Sequence, residues 1–138
     1  MIDRKGLVDA AVAVREQAHS PYSDFCVGAA LLCSDGEVIL GVNVENSSYG
    51  GTICAERTAF CAAVAQGKRE FRAIAIVGAH RGEEIKAFCA PCGICRQFMA
   101  EFCDESFEIL LFDGREIKSY TLSELLPAAF TKSDLENI

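Results

Sequence analysis

The sequence lacks three features that would each define a class of protein. It has no apolar run close to the roughly 18 residues that a membrane-spanning helix requires, and it opens without the basic and apolar segments of a secretion signal. It also lacks a basic cluster, because its 13 Lys and Arg are scattered among 20 Asp and Glu, for a net charge of −7. Binding to a nucleic-acid backbone depends on clustered positive charge. These absences predict a cytoplasmic protein that binds neither membranes nor nucleic acid.

No internal repeat, linker or low-complexity segment interrupts the chain. The composition is 51% hydrophobic and 24% charged, which is typical of a globular protein rather than a disordered one. A chain of 138 residues is long enough to bury a core. We therefore expect a single domain over residues 1–138.

Cysteine, in contrast, is abundant. Eight cysteines in a chain without a secretion signal are expected to be free thiols or metal ligands rather than disulfides. With this many cysteines, chance alone gives about 0.4 pairs at C-x-x-C spacing, so the spacing by itself is weak evidence for a metal site. The surrounding residues have to support the assignment.

Hydrophobic periodicity and turn signals predict four helices and five strands. Asp-Gly pairs at 35–36 and 113–114 mark two hairpins, and Thr121 with Glu124 forms a capping box for the last helix. This order predicts an α/β fold of three layers, with helices on both faces of a mixed five-stranded sheet. The predicted helices cover 3–18, 55–66, 92–103 and a short segment after 121, and the predicted strands cover 25–33, 37–44, 71–78, 107–112 and 115–120.

Two of the predicted helices begin at cysteines. Cys54 follows a Gly-Gly-Thr loop, and Cys92 and Cys95 follow Pro91, a residue tolerated at the first helical turn. Three thiolates can hold Zn²⁺ and leave its fourth tetrahedral position for water, the arrangement of a catalytic zinc site. The partial positive charge of the helix N-termini would offset the negative charge of the thiolates.

A closed zinc site is the alternative, because Cys89 extends the segment to C-x-x-C-x-x-C. Four cysteine ligands would make a structural site without chemistry. Pro91 favours the open site, since it separates Cys89 from the first helical turn that contains Cys92 and Cys95. Spacing leaves both arrangements open.

Glu56 and Arg57 follow the first of these cysteines. Glu56 lies two positions after Cys54 and so not on the same helix face, which makes it a poor ligand but lets it reach a metal-bound water and move its protons. Its alternative role is that of an acidic residue in the first helical turn. Arg57 can donate to zinc-bound sulfurs and offset their excess negative charge, or it can be a solvated helix residue.

The sequence resembles the small homotetrameric zinc-dependent cytidine deaminases. The similarity runs from about residue 22 to residue 130, and Ala90 departs from it where many relatives have serine. The matching blocks are Pro21-Tyr22-Ser23-Asp24-Phe25-Cys26-Val27-Gly28-Ala29-Ala30, Asn43-Val44-Glu45-Asn46 with Tyr49, Cys54-Ala55-Glu56-Arg57-Thr58-Ala59, Pro91-Cys92-Gly93-Ile94-Cys95-Arg96-Gln97 and Leu125-Leu126-Pro127-Ala128-Ala129-Phe130.

This resemblance implies one zinc ion per chain, held by Cys54, Cys92 and Cys95, with Glu56 as proton shuttle and Arg57 bonded to the sulfurs. It places the Ala55 backbone and Phe25 at the pyrimidine ring. The residues that it assigns to the nucleoside site are Phe25, Asn43, Val44, Glu45, Asn46, Ser47, Ser48, Tyr49, Ala55 and Phe130.

The activity implied is hydrolytic deamination of free cytidine and deoxycytidine by zinc-bound hydroxide, in pyrimidine salvage. A homotetramer is also implied, in which Phe130 crosses into a neighbouring active site. Glu45 would repel a phosphate, which favours free nucleosides over nucleotides. The alternatives are a deaminase of another small amine such as blasticidin S, a nucleic-acid deaminase, which the net charge disfavours, and a non-enzymatic four-cysteine zinc module.

Overall fold

A five-stranded mixed sheet forms the middle layer of the protein, shown by a computed structural model that describes residues 1–136. Along the sheet the strands lie in the order β2-β1-β3-β4-β5. The β3–β4 pair is parallel and the other three pairs are antiparallel. The mixed sheet predicted from the sequence is thus confirmed. Its strands are β1 (Phe25–Cys33), β2 (Val38–Val42), β3 (Phe71–His80), β4 (Glu108–Phe112) and β5 (Ile117–Thr121).

Helices cover both faces of this sheet. One face packs against α1 through Leu7, Val8 and Ala11, and the opposite face packs against α2 and α3 through residues such as Phe60 and Met99. The three-layer architecture expected from the sequence is therefore present. The helices are α1 (Arg4–Val14), α2 (Ala55–Ala65), α3 (Gly93–Phe102), α4 (Leu122–Leu125) and α5 (Lys132–Glu136), with 3₁₀ turns at Arg15–Gln17 and Tyr49–Gly51.

The sequence patterns did not predict α5, and the helix that they predicted over residues 3–18 is longer than the observed α1. The five residues of α5 include no buried side chain, so the segment has no apolar periodicity to reveal a helix. At the first helix, the predicted segment 3–18 divides into α1 and the 3₁₀ turn. The capping box at Thr121 and Glu124 is present, with both of its hydrogen bonds.

Within residues 1–136, no helix combines the length and the apolarity that crossing a membrane would require.

Gly41 determines how closely α2 approaches the sheet. A Cβ atom at this position of β2 would lie 2.4 Å from the Ala55 carbonyl oxygen and 2.6 Å from the Ala59 nitrogen. Both distances are far inside van der Waals contact, so only glycine allows the first turns of α2 to lie directly on β2. This close packing fixes the N-terminus of α2, where Cys54 is located.

Candidate active site and metal centre

Three cysteine side chains meet where α2 and α3 begin. Cys54 and Cys92 are the N-cap residues of the two helices, and Cys95 lies in the first turn of α3. Their Sγ atoms all lie within 4.8 Å of one another, and those of Cys54 and Cys92 are 3.8 Å apart. A tetrahedral site with Zn–S bonds of about 2.3 Å separates its sulfurs by about 3.8 Å. The donor set and its spacing thus fit a zinc ion bound by three thiolates.

The charges around these sulfurs also suit a metal. Hydrogen bonding from the Cys95 thiol, aided by donors from Arg57 and Cys92, lowers the pKa of Cys54 to about 5. The pKa of Cys95 is raised, mainly because its proton is held by the Cys54 sulfur. A thiol must be deprotonated to bind a metal, and the lowered pKa of Cys54 favours its thiolate form.

Two arginines follow the cysteines, and the structure gives them different roles. The Arg57 guanidinium donates to Cys54 Sγ at 3.6 Å, and the resulting hydrogen bond raises the pKa of Arg57. Arg96 instead donates to the carbonyl oxygens of Pro91 at 2.8 Å and Leu125 at 2.7 Å. Arg57 is thus placed to offset sulfur charge, whereas Arg96 ties the start of α3 to the C-terminal segment.

Cys89 lies apart from the three-thiol group. Within the described residues, the thiols that are close enough to share a metal are those of Cys54, Cys92 and Cys95. The Cys89 sulfur lies over Gly78 of β3, where an added Cβ would approach it to 2.9 Å. Burial raises the pKa of the Cys89 thiol to about 11, which keeps it protonated at neutral pH. Among the described residues, the possible metal-binding group therefore consists of three cysteines and does not include Cys89.

Glu56 is the acidic group closest in sequence to this centre, and it is buried. Only 4% of its surface is exposed, although charged side chains are rarely buried without a partner. Burial raises the pKa of the Glu56 carboxyl above its usual value, and the negative charge of Cys54 adds to the increase. A carboxyl group whose pKa is raised toward neutrality can both accept and return a proton.

A small apolar surface lies over Gly78, where Phe25 and Cys89 are neighbours. The half-buried Phe25 ring, at the start of β1, packs edge to face against His80 with ring centroids 5.3 Å apart. Gly78 provides the space, because a Cβ there would lie 2.8 Å from the Phe25 ring. Sequence reasoning did not identify Gly78, since a glycine inside a buried apolar strand gives no sign of what lies over it. Ala55, whose backbone was expected at the pyrimidine ring, is fully buried at the start of α2.

The polar loop before α2 is closed by backbone pairing at its two ends. Val44 and Ile53 pair through two backbone hydrogen bonds, of 2.9 and 3.0 Å, so the loop closes immediately before Cys54. The Asn43 amide accepts from the Val27 nitrogen at 2.9 Å and donates to the Phe25 carbonyl oxygen at 2.8 Å. One Asn43 N–H remains for a further partner.

The Glu45 carboxylate accepts from the backbone nitrogens of Tyr22 at 2.9 Å and Ser23 at 3.1 Å. Asn43 and Glu45 thus have the turn-stabilising role that polar loop residues commonly have, and they also face the segment that carries Phe25.

The other residues predicted for the nucleoside site lie on the surface. Phe130 is 57% exposed, and Gln97 of α3 donates to its carbonyl oxygen at 2.7 Å. The aromatic ring is therefore not an anchor in the core of its own chain. The exposed loop residues are Val44, Asn46, Ser47, Ser48 and Tyr49.

Comparison with known proteins identifies the class. The family model described as the cytidine and deoxycytidylate deaminase zinc-binding region matches residues 1–110, which places the chain among zinc-dependent deaminases. A cytidine deaminase from Halalkalibacterium halodurans is 47% identical over 137 residues, covering 99% of this chain and 100% of that protein. The crystal structure of a cytidine deaminase from Burkholderia pseudomallei superposes with a TM-score of 0.84 at 46% identity, covering 94% of this chain and 100% of that one. A blasticidin-S deaminase from Bacillus cereus is more distant, at 31% identity over 110 residues and 78% of each chain. The chain belongs to the cytidine deaminase family, and its expected fold, enzyme class and zinc cofactor are confirmed.

Proposed function

We propose that this enzyme hydrolyses free cytidine and deoxycytidine to uridine and deoxyuridine, with release of ammonia, as a step of pyrimidine salvage. One observation carries the proposal: three thiols converge at two helix N-termini, and the buried Glu56 carboxyl interacts with Cys95 and Cys54 of that group. This arrangement occurs in a chain that is 47% identical to a cytidine deaminase over nearly its full length.

Proton transfer is the role proposed for Glu56. Zinc bound by Cys54, Cys92 and Cys95 would supply Lewis acidity that lowers the pKa of a coordinated water from about 15.7 to about 7. Glu56 would take one proton from water as the oxygen attacks C4 of the pyrimidine and pass it to N3. It would then take the remaining hydroxyl proton and pass it to the departing amino group, which leaves as ammonia. The C4–O bond forms, the C4–N bond breaks and ammonia leaves. Burial of Glu56 supports this role, because it keeps the group out of bulk water and raises its pKa.

Charge and hydrogen bonding support a free nucleoside as the substrate. Asn43 and Glu45 are proposed to bind sugar hydroxyls, and Phe25 with the Ala55 backbone to bind the base. Hydrogen bonds from Ser23 and the turn lower the pKa of Glu45, so its carboxylate is charged at neutral pH. A negative charge beside the sugar would repel the phosphate of a nucleotide. The remaining loop residues through Tyr49 complete the wall of the proposed site.

Assembly and location form part of the same proposal. The exposed Phe130 ring supports a homotetramer in which each chain covers a neighbour's bound base. A cytoplasmic location is supported by the cysteines, which are free throughout the described residues, as expected in a reducing compartment.

A substrate panel tests the proposed function. Purified zinc-loaded enzyme should convert cytidine and deoxycytidine to their uracil nucleosides, as followed by chromatography of the products. Cytidine monophosphate, a cytosine-containing single-stranded oligonucleotide and blasticidin S should be poor substrates under the same conditions. Faster turnover of blasticidin S than of cytidine would favour the antibiotic-deaminase alternative, and efficient deamination of the oligonucleotide would refute the free-nucleoside assignment.

A further inference from the structure

The turn before β1 is held in one conformation by contacts on both sides. The Asp24 nitrogen donates to the Ser20 carbonyl oxygen at 2.9 Å, and Asp24 has φ = 62°, a left-handed conformation uncommon outside glycine. The Arg81 nitrogen donates to the Asp24 carbonyl oxygen at 2.8 Å, and its guanidinium donates to the Ala18 carbonyl oxygen at 2.7 Å. Such an unfavourable backbone conformation persists only where its surroundings determine it. The turn is thus a rigid support for the groups that it carries.

Ser23 is the residue of this turn that contacts both halves of the proposed nucleoside site. Its hydroxyl donates to Oε2 of Glu45, on the sugar side. The same hydroxyl oxygen accepts from the Phe25 nitrogen at 3.0 Å, on the base side. The Ser23 hydroxyl therefore connects the carboxylate proposed to bind the sugar with the aromatic residue proposed to contact the base.

The remaining acceptor capacity of Glu45 is small and has a definite direction. An ionised carboxylate offers about four lone-pair sites. Two are taken on Oε1, by the backbone nitrogens of Tyr22 and Ser23, and one is taken on Oε2 by the Ser23 hydroxyl. One site is left, on Oε2. One free acceptor site can accept a hydrogen bond from one sugar hydroxyl. The hydrogen bond from the Ser23 hydroxyl fixes the orientation of the carboxylate and therefore the direction of this free site.

We propose that Ser23 is a positioning residue for nucleoside recognition, whose hydroxyl orients the Glu45 carboxylate toward one ring hydroxyl of the sugar. This proposal rests on the proposed function. Ser23 acts through Glu45 and does not itself contact the reacting atoms. Its removal should therefore weaken binding of the sugar while leaving the chemistry at C4 intact.

Comparing two substrates distinguishes a positioning role of Ser23 in sugar binding from a general structural role. Cytidine has both ring hydroxyls, whereas 2′,3′-dideoxycytidine has neither, so only cytidine can use the oriented carboxylate. Ser23→Val should lower kcat/KM for cytidine about 10-fold, which corresponds to about 1.4 kcal/mol, chiefly through KM. Its effect on 2′,3′-dideoxycytidine should be smaller than about twofold. Ser23→Thr, which has the shape of valine but keeps the hydroxyl, should restore most of the activity on cytidine.

Controls make each outcome decisive. Zinc content and circular dichroism verify folding, and Ser23→Ala replaces Ser23→Val if the valine variant does not fold. Ser23→Ala should have little further effect in a Glu45→Ala background, because the two residues act as a unit. Ser106→Ala is a matched control, since that exposed serine donates to Asp104 at 2.5 Å in the turn before β4. It should leave both substrates unaffected.

Two results would contradict a positioning role for Ser23. Equal losses on both substrates would show that Ser23 only maintains the turn, and unchanged kinetics on cytidine would show that it positions nothing. If the unmodified enzyme does not deaminate cytidine, the proposed function fails, independently of Ser23.

Discussion

At the scale of single residues, the site contains two carboxyl groups with opposite surroundings, one buried and the other held by hydrogen bonds. Glu56 is 4% exposed, whereas Glu45 is half-buried and engaged in hydrogen bonds. The pKa is raised for the first and lowered for the second. One carboxyl group is thereby suited to exchanging protons and the other to remaining a fixed negative acceptor. Two residues of the same type thus receive different roles from their surroundings.

The role of Glu56 leads to a prediction. Glu56→Gln keeps the size and polarity of the side chain but cannot carry protons, so we expect normal folding and zinc content with cytidine turnover reduced by about 10²–10⁴-fold. Steady-state kinetics and metal analysis on the same preparation provide the measurement. Glu84→Gln, at an exposed glutamate between β3 and α3, is the matched control and should remain fully active. Near-normal turnover in Glu56→Gln would mean that another group moves the protons.

At the scale of secondary-structure elements, the metal site is a product of two helix N-termini brought together by the sheet. α2 lies on β2 and α3 follows the loop after β3, and the Cys54 and Cys92 N-caps meet with their Sγ atoms 3.8 Å apart. Both helix dipoles direct partial positive charge toward the sulfurs. The position of the helices, more than any single side chain, therefore determines whether three thiols can share one metal.

Gly41 allows this positioning to be tested. In Gly41→Ala the new Cβ would clash with the backbone of Ala55 and Ala59, so α2 must shift away from β2. We expect a lower melting temperature and weaker zinc retention during dialysis against a chelator. Gly50→Ala is the matched control for these two measurements, because a Cβ there meets nothing within 4 Å. Equal zinc retention in the two variants would show that the site does not depend on how closely α2 packs.

How far the sequence predicts this structure depends on the kind of signal involved. The strand at Phe25–Cys33 and the helix start at Ala55 were predicted correctly, because apolar runs and turn residues mark them directly. The short helix α5 was missed because it buries nothing.

The same limit applies to the site. Cys54, Cys92 and Cys95 could be proposed as one site from spacing together with family resemblance. The separation of Cys89 from them depends on its packing over Gly78, and the Ser23 link depends on the left-handed turn at Asp24. Such features belong to three-dimensional contacts between distant segments, which local sequence patterns do not record.

At the scale of the whole molecule, the described chain leaves several large apolar side chains on its surface. Besides Phe130, these include Tyr49 at 75%, Ile94 at 65% and Leu135 at 64% exposure. Single exposed apolar residues are ordinary, but Tyr49 belongs to the loop proposed to bind the nucleoside, and Ile94 lies in the first turn of α3, next to Cys95. Their location near the proposed site supports an active site that is completed by another copy of the chain.

A subunit-mixing experiment tests this assembly. If Phe130 covers the base bound by a neighbouring chain, Phe130→Ala should lose a stacking contribution of about 0.5–1.5 kcal/mol together with the exclusion of water. Mixed oligomers of Glu56→Gln and Phe130→Ala chains should regain activity, because one chain supplies Glu56 and its neighbour supplies Phe130 to the same site. A mixture of Glu56→Gln with Cys54→Ala chains is the control and should not recover, since both residues belong to one chain's half of the site. Full activity in a sedimenting monomer, or no recovery despite proven mixing, would show that each chain closes its own pocket.

Cys54, Cys92 and Cys95 are proposed to hold a catalytic zinc whose fourth position is open, while Cys89 takes no part. The most direct test measures zinc content and cytidine turnover together in the four single Cys→Ser variants. We expect about one zinc per chain and retained activity in Cys89→Ser, with zinc and activity lost when any of the other three is replaced. Loss of zinc and turnover in Cys89→Ser, with metal retained in Cys95→Ser, would show that Cys89 is a zinc ligand and Cys95 is not.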